Sequence, residues 1–343
     1  MSSRRRTQLF GVLVAVCVVA AALALAAAIG SDGTGPTRSA AKRVLVDARD
    51  EHRPSLVFRD LRDAASNGKV AVAGLDYPAR RTLVPLRCDR VHFSARNGLC
   101  VVRGSGFGAS YRALVFSADF HVRFGLELAG IPSRARVSPD GRRGSVTMFV
   151  QGHSYADAGS FSTQTTLIDL QHGFKIGDLE QFAVTRAGRR VTAGDVNFWG
   201  VTFARDSDRF YATLATGGRT YLVEGSVRDR TARTIHDNVE CPSLSPDGTR
   251  IGYKQRVPGR DTWRLTVLDL RTMHETPLAE TRGIDDQVEW LDDDRLLYGI
   301  DREIWMVSAD GSGEARRYAA GGDSPAVVRW SGATPARGLP TGT

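Results

Sequence analysis

From residue 53 onward, apolar positions come in short runs, either alternating or continuous, separated by turn signals about every eight to twelve residues. Ser55-Leu56-Val57-Phe58, Lys69-Val70-Ala71-Val72-Ala73 and Thr82-Leu83-Val84-Pro85-Leu86 are the first three. No stretch after residue 50 keeps a helical period between two caps. The pattern predicts strands throughout, and therefore an all-β sandwich, barrel or propeller.

The turns resemble one another. Ser138-Pro139-Asp140-Gly141 follows Arg136-Val137, and Ser245-Pro246-Asp247-Gly248 follows Ser243-Leu244. Proline presets the second position of a type I turn, aspartate suits the third and glycine tolerates the fourth. Pro139, Asp140, Gly141, Pro246, Asp247 and Gly248 are therefore read as structural turns. Weaker copies connect Val201-Thr202-Phe203 to Phe210-Tyr211-Ala212, Val288-Glu289-Trp290 to Leu296-Leu297-Tyr298, and Val91-His92-Phe93 to Leu99-Cys100-Val101-Val102. The aligned anchors are Phe93, Val137, Phe203, Leu244, Trp290 and Trp330, at spacings of 44, 66, 41, 46 and 40. A period near 40 is that of a propeller blade, about four strands long. Polar insertions at 152–163 and 185–197 account for the long interval.

The two ends complete each other. The runs at 55–58, 69–73 and 82–86 resemble second, third and fourth strands whose innermost partner is missing. Ala326-Val327-Val328-Arg329-Trp330 resembles an innermost strand with nothing after it. The expectation is a six-bladed β-propeller of four-stranded blades over 53–331, its ring closed by the C-terminal strand. A Gly-, Pro- and Thr-rich tail at 332–343 is expected to be disordered.

Ahead of the repeats, Leu9 to Ile29 carry no charge and follow Arg4, Arg5 and Arg6. Roughly twenty apolar residues suffice to cross a bilayer. The expected N-terminus is a basic cytoplasmic segment (1–8), a transmembrane anchor or signal peptide (9–29) and a linker (30–52). This places the chain in the plasma membrane as a single-pass protein, propeller outside, with secretion after cleavage as the alternative. The formal net charge of +8 is not gathered into a stripe with interleaved aromatics, which argues against nucleic-acid binding. Cys88 and Cys100 lie close in sequence, and an oxidising compartment would link them as a disulfide.

The run Pro242-Ser243-Leu244-Ser245-Pro246-Asp247-Gly248-Thr249-Arg250-Ile251-Gly252-Tyr253, with the strand at 263–270, resembles the repeat of the TolB-like propellers. The resemblance spans about residues 55–331. The tryptophan usual before the turn is replaced by Val137 and Leu244, and reappears as Trp290 before Asp292-Asp293-Asp294. The wider group includes periplasmic binding proteins, sensors and the propeller halves of serine peptidases. The resemblance thus implies the fold and leaves the function open.

Catalytic signals are weak. Gly152-His153-Ser154-Tyr155-Ala156 approximates a nucleophile elbow but lacks the last glycine and the following helix. Gly104-Ser105-Gly106-Phe107-Gly108 opens no helix that could cradle a phosphate. The acids Asp285, Asp286, Glu289, Asp292, Asp293 and Asp294 read as a solvated rim rather than a calcium loop. His92 and Glu289 sit on inner strands, where a channel could bring them together. The leading expectation is a non-catalytic, cofactor-free binding or scaffold module of the cell envelope. Its partner would be another protein or a peptide, met at the channel mouth by Arg134, Asn197, Glu240 and Asp286, with the membrane as a second contact. The alternative is a metal-dependent hydrolase or lactonase with its site in the channel.

Overall fold

The computed structural model describes residues 40–45, 47, 53–104, 110–155 and 161–329. Six sheets surround a central channel. From the channel outward, the first blade is Gly322–Val328, Ser55–Asp60, Lys69–Gly74 and Arg81–Arg87. The second is Arg90–Ser94, Asn97–Arg103, Tyr111–Ser117 and Val122–Leu128. The third is Ile131–Val137, Arg143–Gln151, Ser162–Asp169 and Phe174–Asp178. The fourth begins Asn197–Phe203, Arg209–Thr216, Arg219–Ser226, Thr231–Asp237. The fifth is Glu240–Leu244, Arg250–Arg256, Trp263–Asp269 and Glu275–Pro277. The sixth is Glu289–Trp290, Arg295–Ile300, Glu303–Ser308 and Arg316–Ala320. Each inner strand contacts the next, and the last returns to the first.

The ring closes through the C-terminal strand. Ser55 pairs with Val328, Leu56 with Val327 and Val57 with Ala326. Trp330, expected at the end of this strand, lies outside the described residues, as does the tail at 332–343. The aspartates of the two strongest turns organise their backbones. Asp140 Oδ1 accepts from the Ser138 hydroxyl (2.7 Å) and Arg142 N (2.9 Å). Asp247 Oδ1 does the same with Ser245 (2.5 Å) and Thr249 N (3.0 Å). Gly141 and Gly248 close these turns at φ 72° and 78°, where a side chain would strain the backbone.

Two features depart from the expected plan. The fourth blade has six strands. Ala183–Arg186 runs parallel to Thr231–Asp237 and carries Arg189–Arg190 on its far side. The long interval between anchors is therefore partly a hairpin that widens the fourth blade, not only loop. The second departure concerns the membrane. Among the described residues no helix is long and apolar enough to cross a membrane. The segment 9–29 lies outside them. The helical residues 40–45 are too short, and their Ala41 and Leu45 are buried against the first two blades. The fold class is therefore corrected to a six-bladed propeller whose described residues include no transmembrane or signal helix. The single-pass plasma-membrane location and the membrane contact drawn from that helix are withdrawn with it.

A disulfide joins Cys88 to Cys100, their Cα atoms 5.3 Å apart. It ties the entry of the second blade to its second strand, beside buried Phe93, Phe116 and Phe120.

Two outcomes are expected. A chain ending at Gly321 loses Ala326, Val327 and Val328, all buried. Burial of one valine contributes roughly 1.5–3 kcal/mol, and the loss of two valines and an alanine with their ladder bonds approaches the roughly 5–15 kcal/mol of a whole domain. Limited proteolysis should then cut throughout all six blades; a melting midpoint equal to wild type would refute ring closure. Separately, Cys100→Ser should lower unfolding free energy by about 2–3 kcal/mol, the chain-entropy value for so short a loop. Denaturant titration of oxidised wild type against the variant measures it.

Candidate functional site

The inner strands run side by side, so the channel has an entry face, where they begin, and an exit face, where they end. Four of them are bulged near the entry. Register shifts fall between Pro132 and Arg134, Trp199 and Thr202, Glu240 and Ser243, and opposite Val57–Arg59. Gly200, Cys241 and Ser324 take positive φ there (63°, 50° and 50°). A Cβ on Gly200 would lie 2.5 Å from Cys241 Cα, so glycine lets the two strands meet. Bulges re-aim side chains, and here they divide the channel lining into two layers.

The exit layer is closed by charge. Arg136 donates to Glu289 Oε2 and to Val288 O (3.0 Å). Its Nη1 lies 3.0 Å from His92 Nε2, and His92 Nε2 is 3.6 Å from Glu289 Oε2. Glu289 Oε1 accepts from Val327 N at 3.0 Å, which links the sixth blade to the closing strand. Burial raises the Glu289 carboxyl, but Arg136 and His92 outweigh it and hold the pKa at about 2. Burial, then the neighbouring Arg136, push His92 below its ordinary 6.5. Val137 N–H points at His92 Nδ1 (3.2 Å), so both ring nitrogens face donors and a second proton is disfavoured.

The entry layer is richer. Arg134 Nη2 donates to Asp285 Oδ1 at 2.9 Å, and Lys254 Nζ to the same oxygen at 2.5 Å. Arg59 pairs with Asp323 at 2.9 Å, and Arg90 Nε donates to Ser133 O at 2.5 Å. Burial raises the Asp323 carboxyl despite Arg59 and Arg90. Tyr155 packs, buried, beside this layer. Its ring stacks on Trp199 at 4.8 Å and packs against Phe149 (4.7 Å) and Phe161 (5.4 Å). Arg134 and Lys254 lie 5.3 and 5.2 Å from the ring centroid. The phenol bonds Ser133 Oγ, and burial pushes its pKa far up.

Of the four residues expected at the mouth, Arg134 is in the entry layer, and Asp286 is close enough to bear on it electrostatically. Asp286 Oδ2 is committed to Gly299 N at 2.7 Å. Glu240 is fully buried beside them, 3.2 Å from Arg256, which reaches Tyr155 O at 2.9 Å. Asn197 is elsewhere. Its Oδ1 accepts from Thr163 N (2.7 Å) in the seam between the third and fourth blades. The acidic run also separates, and the expectation of one solvated rim is corrected for Glu289, which is buried, while Asp285 stays exposed. Asp285 and Glu289 face cations in the channel, whereas Asp292 pairs with Arg295 and Asp293 accepts from Asp247 N on the exit side. Asp285, Lys254, Arg136 and Tyr155 were not singled out as site residues. Lys254 carried the one available signal, a lysine in a chain whose cations are mostly arginine, on a strand next to an inner strand.

The region singled out as an elbow, Gly152 to Tyr155, contributes Tyr155 and joins two strands of one blade. Gly104 N bonds Ser110 O at 2.7 Å, closing a hairpin; residues 105–109 lie outside those described. Among the described residues, no three His, Cys, Asp or Glu side chains are placed to share a metal ion. The convergence of His92 and Glu289 does not fit one either, because Arg136 puts a fixed positive charge against both.

No family model matches the sequence, and no curated protein matches it. Solved structures do. The TolB structure from Acinetobacter baumannii is 17% identical over 81% of this chain and 67% of that chain, with a TM-score of 0.51. A structure described as a nidogen/laminin complex is 11% identical over 80% of this chain and 97% of that chain, with a TM-score of 0.52. The chain is a six-bladed propeller resembling TolB, and at these identities the likeness shows the fold.

The exit layer makes stability depend on pH. A histidine whose folded pKa lies below its unfolded 6.5 leaves the folded state with fewer protons than the unfolded one. Its contribution is present above 6.5 and is lost as pH falls from there to the folded value. Glu289 adds a second loss between its ordinary 4.5 and about 2. The melting midpoint of wild type should fall between about pH 6.5 and 5, and His92→Gln should flatten that segment. Parallel pH–melting curves for the two proteins would show that His92 has no such role.

Proposed function

We propose that the protein is a non-catalytic binding and scaffold module that works outside the cytoplasm and presents its entry face to another protein or a peptide segment. The observation that carries this reading is the state of the channel. Most of its ionisable groups are paired with one another across blades, beside the buried Tyr155 ring, instead of converging on a vacant space where substrate could react. Recognition then falls to the rim of the entry face. Ile131 and Val150 are exposed there by 48% and 46%, on paired strands of the third blade where Ile131 lies opposite Phe149. Across the mouth, a shallow depression of about 490 Å³ is lined by Asn238, Arg256, Val257, Pro258, Gly259, Arg260 and Asp261. An apolar ledge facing a polar hollow suits a peptide segment better than a small buried ligand. The Cys88–Cys100 disulfide supports a location outside the cytoplasm, since reducing compartments keep such thiols apart. The nidogen structure is described as a complex with laminin, a precedent for protein recognition on this fold.

A photo-reactive amino acid in place of Ile131 should give one discrete adduct in cell-envelope preparations, competed by excess unmodified protein. The same label at Met273, exposed in a turn on the exit side, should not. Equal labelling from both positions, or none from Ile131, would defeat the entry-face assignment.

A further inference from the structure

Asp285 is placed unlike every other acid of the channel. Its side chain is 46% exposed, on the crest of the loop between the fifth and sixth blades. The loop is pinned on both sides of it. Ile284 is buried in the seam between these blades. Asp286 holds Gly299 N, and Gln287 donates to Val201 O (3.1 Å) and Pro242 O (2.7 Å). Beneath Asp285 lie two cations that water barely reaches: Arg134 is 8% exposed and Lys254 fully buried. They come from the third and fifth blades and meet on the single oxygen Oδ1. Both cations bind Oδ1, on a side chain that is 46% exposed.

Arg134 also donates to Ser133 O (3.1 Å) and Asp285 O (3.3 Å), so the one side-chain anion the two buried cations share is that of Asp285. Burying a charge is costly unless it is paired and hydrogen-bonded. Arg134 Nε is buried and has no hydrogen-bond partner. Lys254 gains only Asp285, with the Trp263 ring at 4.1 Å and the Tyr155 ring at 5.2 Å as its walls. Such rings attract a cation by their faces and leave the ammonium's donors for an oxygen above. The oxygen arrives from the solvent side, on the one group of the trio that is exposed.

We propose that Arg134 and Lys254 form a seat for a ligand carboxylate at the entry mouth, and that Asp285 occupies this seat in the unliganded protein. This rests on the reading of the entry face as the docking face. The seat fits a carboxylate because a carboxylate already fills it, between two aromatic walls. An incoming glutamate or aspartate side chain, or a chain-terminal carboxylate, would take the Oδ1 position as Asp285 turns out to water. The exit layer beneath is closed by Arg136, His92 and Glu289, so the ligand enters from the entry face and goes no deeper.

The test uses the full-length chain and three blocked tripeptides: acetyl-Gly-Glu-Gly-amide, its glutamine counterpart, and acetyl-Gly-Gly-Gly with a free carboxyl terminus. Asp285→Asn keeps the shape of the loop residue and removes its charge, weakening its hold on the cations. By calorimetry this variant should bind the glutamate peptide about tenfold or more tighter than wild type, because the competent state is no longer masked. It should ignore the glutamine peptide. The double variant Asp285→Asn/Lys254→Met should lose the gain. Preference for the free-terminus peptide over the glutamate one would name a chain end as the ligand. A natively folded Asp285→Asn that does not distinguish glutamate from glutamine overturns the proposal. Should that variant not fold, wild type decides: its melting midpoint should rise with the glutamate peptide and not with the glutamine one, and equal responses overturn the seat. If labelling from Ile131 persists while carboxylate preference is absent, the docking face stands without the seat; loss of both removes the docking face as well.

Discussion

The antiparallel pairing of Gly322–Val328 with Ser55–Asp60 joins residues more than 260 positions apart, and the rest of the channel is built on it. Without that strand, the first blade has no channel wall and the inner edge of Ser55–Asp60 is unpaired. The pairing also brings polar groups to the centre. Asp323 reaches Arg59 of the neighbouring strand, and Val327 N reaches Glu289 of the sixth blade. The loss of one strand would therefore expose an edge and remove an ion pair and the hydrogen bond that fixes Glu289. Closure by a terminal strand makes the ring cooperative.

Arg136 and Glu289, from the third and sixth blades, lie across the ring from one another. Arg134 of the third blade and Lys254 of the fifth both reach Asp285. Apolar packing between adjacent blades is tolerant of small rotations, since it depends on area more than direction. Hydrogen-bonded ion pairs are directional, and removing one partner leaves an uncompensated buried charge. Such pairs add little net stability once desolvation is counted. Their effect is to make one angular arrangement of six similar blades preferable to its neighbours. His92 belongs to this system: its two nitrogens face Val137 N and Arg136, so its neutrality is set by the same alignment.

The repeat was legible in the sequence because its signals are local. The Ser-Pro-Asp-Gly turns at 138–141 and 245–248 need particular residues within four positions, and the anchors Phe93, Val137, Phe203, Leu244 and Trp290 each lie at or near the end of an inner strand. The closing strand could be read because the first blade lacked a partner. The added hairpin in the fourth blade could not. Ala183–Arg186 and Arg189–Arg190 are too short to alternate visibly, and its outer pair is exposed arginine. The channel was harder still, since Arg136 and Glu289 are 153 residues apart and Arg134 and Asp285 151. The bulges at Gly200, Cys241 and Ser324 have no common residue type, yet they decide which side chains face the centre. Asn197 shows the consequence: it begins an inner strand as Glu240 does, but its side chain turns into a seam.

Depth then separates structural from recognising residues. The exit layer is sealed by groups that satisfy one another, and its aromatic neighbour Trp290 donates to Ser243 O at 2.8 Å. The entry layer is packed against Tyr155, contributed by a loop between two strands rather than by an inner strand. Loops of this kind vary without disturbing the ladders that hold a blade together. The same holds for the loop that carries Asp285. Both therefore sit where contacts with a partner can be altered while the ring below keeps its alignment. Arg134 is the residue that joins the two levels: it stands on an inner strand, next to a bulge, and touches both the Tyr155 ring and Asp285. A change at Arg134 would disturb mouth and ring directly, whereas a change at Asp285 reaches the ring only through the two buried cations it holds.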